Sequence, residues 1–252
     1  MLKRILCFVC FVFIAFVVHA ESISMQWLNE DGTTYDTTAC TAGGDIILPT
    51  APTKRGYTFM GWTTYTPIQY IKSSGTQYID TGIKVNSDYT VEVRGLFNCG
   101  QVACGEENAT FGRSGTFALA IACTSEGSVW GGNTINSTQA QLGTNPNNFF
   151  TLKIDKNGVY NDGVKKVSFS PPALVKYATK NFLLFATKAS NYGWSSDTLM
   201  YVKMWDENNI LIHNFIPVID ENNVPCMFDT VTGQFFYNAG TGNFIAGPVI
   251  SQ

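Results

Sequence analysis

Apolar and polar residues alternate along most of this chain with a period of two rather than 3.6. Residues 89–97 place Tyr89, Val91 and Val93 at alternate positions, and residues 149–154 continue the same pattern. A period of two is typical of a strand with one buried face, because successive side chains of a strand point to opposite sides. Roughly ten or more such segments, with turn residues between them and no helical period, predict an all-β fold.

Turn residues predict how these strands connect. Asn157-Gly158 and Asp162-Gly163 tolerate the left-handed backbone that tight primed hairpin turns require. Residues 29–32 and 124–127 are further turn signals, and residues 131–148 are predicted to be a loop or an edge strand. Many short strands joined by turns predict one antiparallel sandwich or jelly roll over residues 66–252. Thr66-Pro67 is predicted to be a short linker before it.

Residues 1–20 have the features of a secretory signal peptide. Lys3 and Arg4 precede an unbroken apolar run over residues 5–18, and Ala20 supplies a small residue at the cleavage position. The alternative, a retained signal anchor, is disfavoured because the run is short for a membrane span. We therefore expect an extracellular or cell-surface protein.

Charge narrows the choice of partner. The formal net charge is -3, and loss of the two basic leader residues, Lys3 and Arg4, would change it to -5. An acidic chain offers no basic footprint for phosphate, so a nucleic-acid partner is not expected. The sequence after residue 20 contains no second apolar run long enough to cross a bilayer.

Five cysteines follow the predicted leader: Cys40, Cys99, Cys104, Cys123 and Cys226. Export permits disulfides, but an odd number leaves at least one thiol unpaired or paired with another chain. A hairpin could bridge Cys99 and Cys104, if its geometry allows. A zinc site is disfavoured, because no Cys-x-x-Cys pair exists and His213 is the one histidine after the leader.

Residues 22–65 resemble a known small module. Gly43-Gly44, Leu48-Pro49 and the run Gly-Tyr-Thr-Phe-Met-Gly-Trp over residues 56–62 are similar to the Listeria–Bacteroides repeat of bacterial surface proteins. The resemblance implies a β-grasp-like unit. Trp62 is expected in its core rather than on a ligand, because aromatic rings dominate the cores of small modules.

Residues 66–252 carry a second resemblance. Residues 70–82 (YIKSSGTQYIDTG), 202–206 (VKMWD) and 228–236 (FDTVTGQFF) are similar to laminin-G-like, concanavalin A-like modules of bacterial surface and phage tail proteins. The resemblance implies an antiparallel jelly-roll β-sandwich that binds a glycan or a cell-surface protein.

Two aromatic and polar pairs are the candidate ligand-binding residues. Trp130 with Asn133, and Tyr192 with Trp194, lie in Gly- and Asn-rich sequence that is typical of loops, where binding sites are common. Sugar rings need aromatic faces for their C–H groups and polar partners for their hydroxyls. The alternative is that both tryptophans fill the ends of the sandwich.

Catalytic and metal-binding patterns are weak, so an enzyme is not expected. The Glu-x-Asp-x-x-Glu strand of concanavalin A-like glucanases does not occur. A Ser-His-Asp arrangement would have to use His213, which alternates with Leu211 and Phe215 as a partly buried structural residue would. No cofactor is predicted. Calcium would need several oxygen ligands, and the candidates are Asp206, Glu207, Asp220 and Asn222.

The sequence therefore predicts a secreted or cell-surface binding or adhesion module. Two alternatives remain open: a structural spacer or self-assembling surface subunit, and a divergent glycoside hydrolase. Resemblance of fold does not choose between them.

Overall fold

The computed structural model describes residues 3–5, 22–28, 34–41, 45, 47–53, 57–59, 65–97, 101–106, 120–123, 128–133, 136–141, 148–169, 177–178, 180–186 and 195–250. Every helix-or-strand element within these ranges is a strand, so the all-β prediction is confirmed there. The same ranges hold no helix that is long and apolar enough to span a bilayer.

The described residues form twenty-one strands. In chain order they are β1 (Lys3–Ile5), β2 (Ser22–Leu28), β3 (Thr34–Thr41), β4 (Tyr57–Phe59), β5 (Thr66–Pro67), β6 (Ile71–Lys72), β7 (Ile79–Asp80), β8 (Thr90–Leu96), β9 (Gln101–Glu106), β10 (Ala120–Cys123), β11 (Ser128–Asn133), β12 (Asn136–Gln141), β13 (Phe150–Asp155), β14 (Gly158–Asn161), β15 (Val164–Ser168), β16 (Phe182–Leu184), β17 (Thr198–Trp205), β18 (Leu211–Ile219), β19 (Pro225–Asp229), β20 (Gln234–Phe236) and β21 (Ile245–Ala246).

The first strands form two small sheets. β2 and β3 pair as the antiparallel hairpin that the turn signal at residues 29–32 predicts. Met25 and Trp27 are fully buried, and the indole Nε1 of Trp27 donates a hydrogen bond to Thr38 Oγ1 at 2.8 Å. β1 pairs in parallel with β4. Because β1 lies within the predicted leader, cleavage after residue 20 would remove this strand.

Two larger antiparallel sheets follow. The six-stranded sheet has the order β12-β11-β10-β9-β16-β7. The large sheet has eleven strands, eight of them in the order β15-β14-β13-β8-β17-β18-β19-β20; β5 pairs with β18, and β6 joins β17 to β21. The large sheet thus brings residues 66–72 beside residues 198–250.

One hydrophobic core lies between the two larger sheets. The large sheet contributes inward residues such as Val93, Leu152 and Met204, and the six-stranded sheet contributes Ile79 and Leu184. The period of two explains this: in β8 the valines are buried while their neighbours are half-exposed. A core shared by two antiparallel sheets gives a sandwich-like architecture.

The predicted hairpins between residues 150 and 168 are confirmed. β13, β14 and β15 form a meander. The second turn places Asp162 at φ 45° and Gly163 at φ 78°, the left-handed conformations that favour Asp-Gly. The first turn is followed by Gly158, where a Cβ would collide with the carbonyl oxygen of Val167. Glycine is therefore required there for close approach of two strands.

Three sequence expectations change in detail. β11 extends to Asn133 and β12 follows it as an edge strand, so the edge-strand alternative for residues 131–148 describes residues 136–141. The alternation of Leu211, His213 and Phe215 belongs to a strand that continues to Ile219. Thr66 and Pro67, predicted as a linker, pair with β18, because a proline is tolerated in a short strand where no donor is needed.

Candidate functional site

The sequence-predicted ligand residues fall largely outside what the structure describes. Trp130 and Asn133 lie three positions apart on β11, opposite Gln139 and Asn136 of β12. Both residues therefore lie in a strand. For Trp130 and Asn133 the structure describes the backbone and not the side chains. Tyr192 and Trp194 lie outside the described residues. The pairing of these residues in one site stays a prediction.

The described residues instead show a row of polar and aromatic side chains across the outer surface of the large sheet. Residues that lie opposite each other in register link six neighbouring strands, from β15 to β18. The row runs Lys165, Tyr160, Lys153, Glu92, Lys203, Asn214. Tyr160, Lys153, Glu92 and Lys203 have buried neighbours on both sides along their strands, so this part of the row follows from the period of two. Lys165 lies on β15, where its neighbours are exposed as well.

We call this surface the ladder face. It comprises the row and the outward residues beside it: Glu92, Arg94, Thr151, Lys153, Asp155, Tyr160, Lys165, Tyr201, Lys203, Trp205 and Asn214. Ten of these are half-exposed and Lys165 is exposed. The ladder face is thus reachable from solvent along strands that are anchored in the core.

Two tyrosines on the ladder face are flanked by lysines. The Nζ atoms of Lys153 and Lys165 lie 5.2 and 5.4 Å from the ring centroid of Tyr160. The Nζ atom of Lys203 lies 4.8 Å from the ring centroid of Tyr201. These distances permit cation–π attraction between the ammonium groups and the rings over which they lie.

Hydrogen bonds hold the second tyrosine and the guanidinium in place. The hydroxyl of Tyr201 donates to Glu92 Oε1 at 3.0 Å, and Arg94 Nη1 donates to Thr151 Oγ1 at 3.0 Å. Burial is the largest cause that raises the pKa of Tyr201, and the Glu92 carboxylate adds to it. The phenol therefore stays protonated and remains a hydrogen-bond donor at neutral pH.

The ladder face carries more positive than negative charge. Its four cationic residues are three lysines and Arg94, against Glu92 and Asp155. Among the described residues the one ion pair that a ladder lysine makes is Lys153 with Asp155, at 3.9 Å. The face is therefore locally positive in a chain whose net charge is -3.

The other half of the same outer surface is apolar and covered. We call it the aromatic cap: Tyr65, Ile216, Val218, Cys226, Phe228 and Phe235. The ring of Tyr65 lies 4.8 Å from that of Phe228 and 6.4 Å from that of Phe235, centroid to centroid. Burial raises the pKa of the Tyr65 phenol to about 12 and that of the Cys226 thiol to about 12.

A buried carboxylate joins β18 to the hairpin of β19 and β20. Asp229 is fully buried; its Oδ2 lies 2.7 Å from His213 Nδ1 and accepts the Thr232 hydroxyl at 2.7 Å. Its Oδ1 accepts the backbone N–H of Asn214 at 2.8 Å. Burial alone would raise the pKa of Asp229, but these hydrogen bonds outweigh it and lower the pKa. The carboxylate of Asp229 is therefore ionised, and it accepts a hydrogen bond from the Nδ1–H of His213.

His213 is half-buried on a strand, as the sequence predicts, but its aspartate partner was not predicted. Its ring stacks on Phe215 with 5.6 Å between centroids. The imidazole ring is packed into the sheet, and its Nδ1 is held by the carboxylate of Asp229. The arrangement holds the histidine in one orientation and closes the hairpin.

The acidic residues considered for calcium lie in two copies of one turn. Asp-Glu-Asn-Asn occurs at residues 206–209 and 220–223. In both copies the aspartate Oδ1 accepts the N–H two residues on at 2.9 Å and four residues on at 2.8 Å. The last asparagine takes a left-handed φ, 60° at Asn209 and 61° at Asn223.

This placement separates the calcium candidates Asp206 and Asp220. The turns lie at opposite ends of β18, so Asp206 and Glu207 do not meet Asp220 and Asn222 around one ion. The described part of the chain holds no group of three or more metal-ligating His, Cys, Asp or Glu side chains. A second oxygen of Asp220 instead accepts the Tyr237 hydroxyl at 3.0 Å.

The described cysteines are free thiols. Cys104 and Cys226 are buried, and Cys40 is partly exposed. Cys104 lies inside β9 with its side chain in the core, and its thiol is free. Burial, with the Asp197 carboxylate second, raises the pKa of the Cys104 thiol well above its usual range. Cys99 and the Cys123 side chain lie outside the described residues.

Comparison with known proteins finds one family. Residues 28–92 match a family model described as the Listeria-Bacteroides repeat domain, about a quarter of the chain. The match extends past the predicted boundary at residue 65 into strands of the two larger sheets. No curated protein matches the chain, and no solved structure does.

Sequence reasoning missed the ladder face, although part of its signal is readable. Lys153, Tyr160 and Lys165 occupy outward positions of one predicted meander, where hairpin turns fix the register. Outward residues at paired positions of a meander are neighbours, so the contact of these three side chains follows from the predicted register. Glu92 and Lys203 meet through pairing of distant strands, which no local pattern reveals.

Proposed function

We propose that the protein is an exported, non-catalytic binding module that recognises a glycan or a surface protein through the ladder face. The observation that carries the proposal is the row from Lys165 to Asn214, which sets aromatic rings and hydrogen-bonding groups side by side on a solvent-accessible sheet. Sites on strands are held more rigidly than sites on loops, which lowers the entropy lost on binding.

The chemistry of the ladder face suits a saccharide. The rings of Tyr160 and Tyr201 offer apolar surface to sugar C–H groups. Lys153, Glu92 and Asn214 offer donors and acceptors to sugar hydroxyls. Few polar groups placed around aromatic surface are typical of small-ligand sites in proteins.

Export and fold complete the proposal. Residues 1–20 act as a signal peptide, and the chain works outside the cell or on its surface, where a Listeria–Bacteroides repeat would be expected. The two larger sheets form a concanavalin A-like jelly roll, supported by their shared core and antiparallel pairing. The module then serves adhesion, with the repeat as an accompanying unit.

The two aromatic and polar pairs predicted from the sequence are proposed as a second contact region. Trp130 and Asn133 lie on β11, next to the edge strand of the six-stranded sheet, whereas the ladder face belongs to the large sheet. Tyr192 with Trp194 is retained on its sequence pattern alone. Either pair would add aromatic stacking to a ligand that extends beyond one sheet.

The test is a binding screen of the purified full-length chain against a panel of glycans. Tyr160→Ala combined with Tyr201→Ala should abolish any binding that uses the ladder face. Tyr177→Ala is the matched control, because Tyr177 is 71% exposed and lies outside the ladder face. Trp130→Ala and Trp194→Ala test the second region in the same assay.

Each outcome decides between candidates. Binding lost in the double tyrosine variant and kept in the control supports the proposal. Binding lost only with the tryptophan variants moves the site to the second region. No binding to any glycan or surface protein, together with concentration-dependent self-association, would favour a self-assembling structural subunit. Glycan hydrolysis would instead indicate a divergent glycoside hydrolase.

A further inference from the structure

We propose that the ligand of the ladder face is an anionic polysaccharide, one whose sugars carry carboxylate groups. This inference rests on the proposed function and names the class of glycan. It begins from charge: the ladder face is positive, whereas the whole chain is negative. A local surface of opposite sign to the chain favours an oppositely charged partner by electrostatic complementarity.

The arrangement of the charges points to a sugar polymer. Each tyrosine is paired with at least one lysine ammonium, at 4.8 Å for Tyr201 and 5.2 and 5.4 Å for Tyr160. An acidic sugar has an apolar C–H face and a carboxylate at the ring edge. A ring with an ammonium group held over part of it offers apolar surface and positive charge together, which is complementary to both parts of such a sugar.

Two such units occur on one face, at a spacing that suits several linked sugars. Tyr160 lies on β14 and Tyr201 on β17, with β13 and β8 between them. Three interstrand spacings separate the two rings by about 14 Å across the sheet. The ligand is therefore an extended chain that crosses the strands, with Lys153 and Lys203 between and beside the rings.

The negative residues on the face argue for sugar over nucleic acid. Glu92 lies between Lys153 and Lys203 in the row and holds the Tyr201 hydroxyl at 3.0 Å. A carboxylate amid the cations repels phosphates and sugar carboxylates alike, but a uronic acid also carries several free hydroxyls on each sugar, which can donate hydrogen bonds to Glu92. The face thus alternates groups for anions and groups for hydroxyls.

The experiment uses one polymer in two charge states. Binding of the full-length chain to polygalacturonate is compared with binding to the same polymer after full methyl esterification, which removes the charge and keeps the backbone. We expect binding to the acid form and at least about tenfold weaker binding to the ester, the change expected from losing several exposed ion pairs. Binding to the acid form should also weaken with added salt.

Matched variants separate the ladder face from net charge. Lys153→Gln with Lys203→Gln should weaken binding to polygalacturonate by about tenfold, because both ammonium groups flank the tyrosines. Lys84→Gln with Lys180→Gln changes the net charge equally, but Lys84 and Lys180 lie outside the large sheet. This control should bind as the unaltered chain does, and melting temperatures report whether all variants are folded.

The outcomes distinguish this inference from the proposed function. Tyrosine-dependent binding of neutral glycans, with none of polygalacturonate, would overturn the anionic ligand and keep a binding module. Equal losses in both lysine pairs would also overturn it, since the effect would then follow net charge. Binding of a single-stranded oligonucleotide as tight as polygalacturonate would overturn it in favour of a general polyanion surface. Binding of no glycan and no surface protein would remove both proposals.

Discussion

The outer surface of the large sheet has two halves that the chain treats differently. From β15 to β17, and at Asn214 on β18, the outward residues are polar or aromatic and form the ladder face. On the rest of β18 and on β19 and β20 the outward residues of the aromatic cap are apolar, and Tyr65 covers them. Tyr65 therefore covers the apolar half of the surface. Tyr160 and Tyr201 lie on the other half, where their neighbours are lysines and Glu92. This difference favours stability as the role of one half and binding as the role of the other.

The largest expected effect is in the covered half. Phe228→Ala removes a fully buried ring and leaves a cavity beneath Tyr65 and Phe235. We expect the free energy of unfolding to fall by about 3–5 kcal/mol, measured by denaturant titration. Phe228→Leu, which refills much of the volume, should lose less. A loss in Phe228→Ala as small as that of a surface residue would remove the distinction between the halves.

Local signals in the sequence predicted strands and turns, whereas contacts between strands that are distant in the sequence could not be predicted. The alternation in β8 and the turn at Asp162-Gly163 predicted strands and a meander, because both are local signals. The Asp-Glu-Asn-Asn turns are local too, since two copies fold alike. The neighbours Glu92 and Lys203 depend on which distant strands pair, and core packing decides that register.

The candidate site was harder to predict than the fold for the same reason. The Gly- and Asn-rich surroundings of Trp130 indicated a binding site there, and Trp130 lies in β11 of the six-stranded sheet. The ladder tyrosines stand in ordinary strand sequence, and only the sheet brings Tyr160 and Tyr201 to one face. A site assembled across strands has no contiguous motif. Its residues become visible once the strand order is known.

The second prediction concerns acid sensitivity in the hairpin that supports the cap. Asp229 has a lowered pKa in the folded protein, so its ionised form favours folding. That contribution is complete above the ordinary aspartate pKa of 3.8 and is lost as the pH falls through the lower folded value. Asp229→Asn should cost about 1.5–3 kcal/mol at neutral pH, the range for hydrogen bonds to a charged group.

Denaturant titrations between pH 7 and pH 2 measure both effects. The stability of the variant should change less than that of the unaltered chain below about pH 4, because one titrating group is gone. Asp162→Asn is the control, since Asp162 is exposed in the turn between β14 and β15, at the other end of the strand order from Asp229 on β19. Parallel pH curves for Asp229→Asn and the unaltered chain would contradict the role of Asp229.

The third prediction tests Tyr65 as a cover. Tyr65→Ala should lower the free energy of unfolding by about 1–2 kcal/mol, an ordinary value for losing one packed side chain. It should also speed alkylation of Cys226, whose thiol is buried in the cap and has a raised pKa. Peptide mapping by mass spectrometry distinguishes Cys226 from Cys40. Unchanged labelling of Cys226 in a destabilised variant would show that Tyr65 does not protect it.

The smallest expected effect is in the ladder face. Tyr160→Ala should change the free energy of unfolding by less than about 1 kcal/mol, because the ring is half-exposed and its contacts with Lys153 and Lys165 are surface cation–π contacts. Denaturant titration beside Phe228→Ala measures the difference between the halves. A large loss of stability in Tyr160→Ala would mean that the ladder tyrosines are structural, and loss of ligand binding in the same variant could then be read as unfolding. A small loss makes binding a clean readout, because an aromatic ring kept at a surface without a stabilising role is available for recognition.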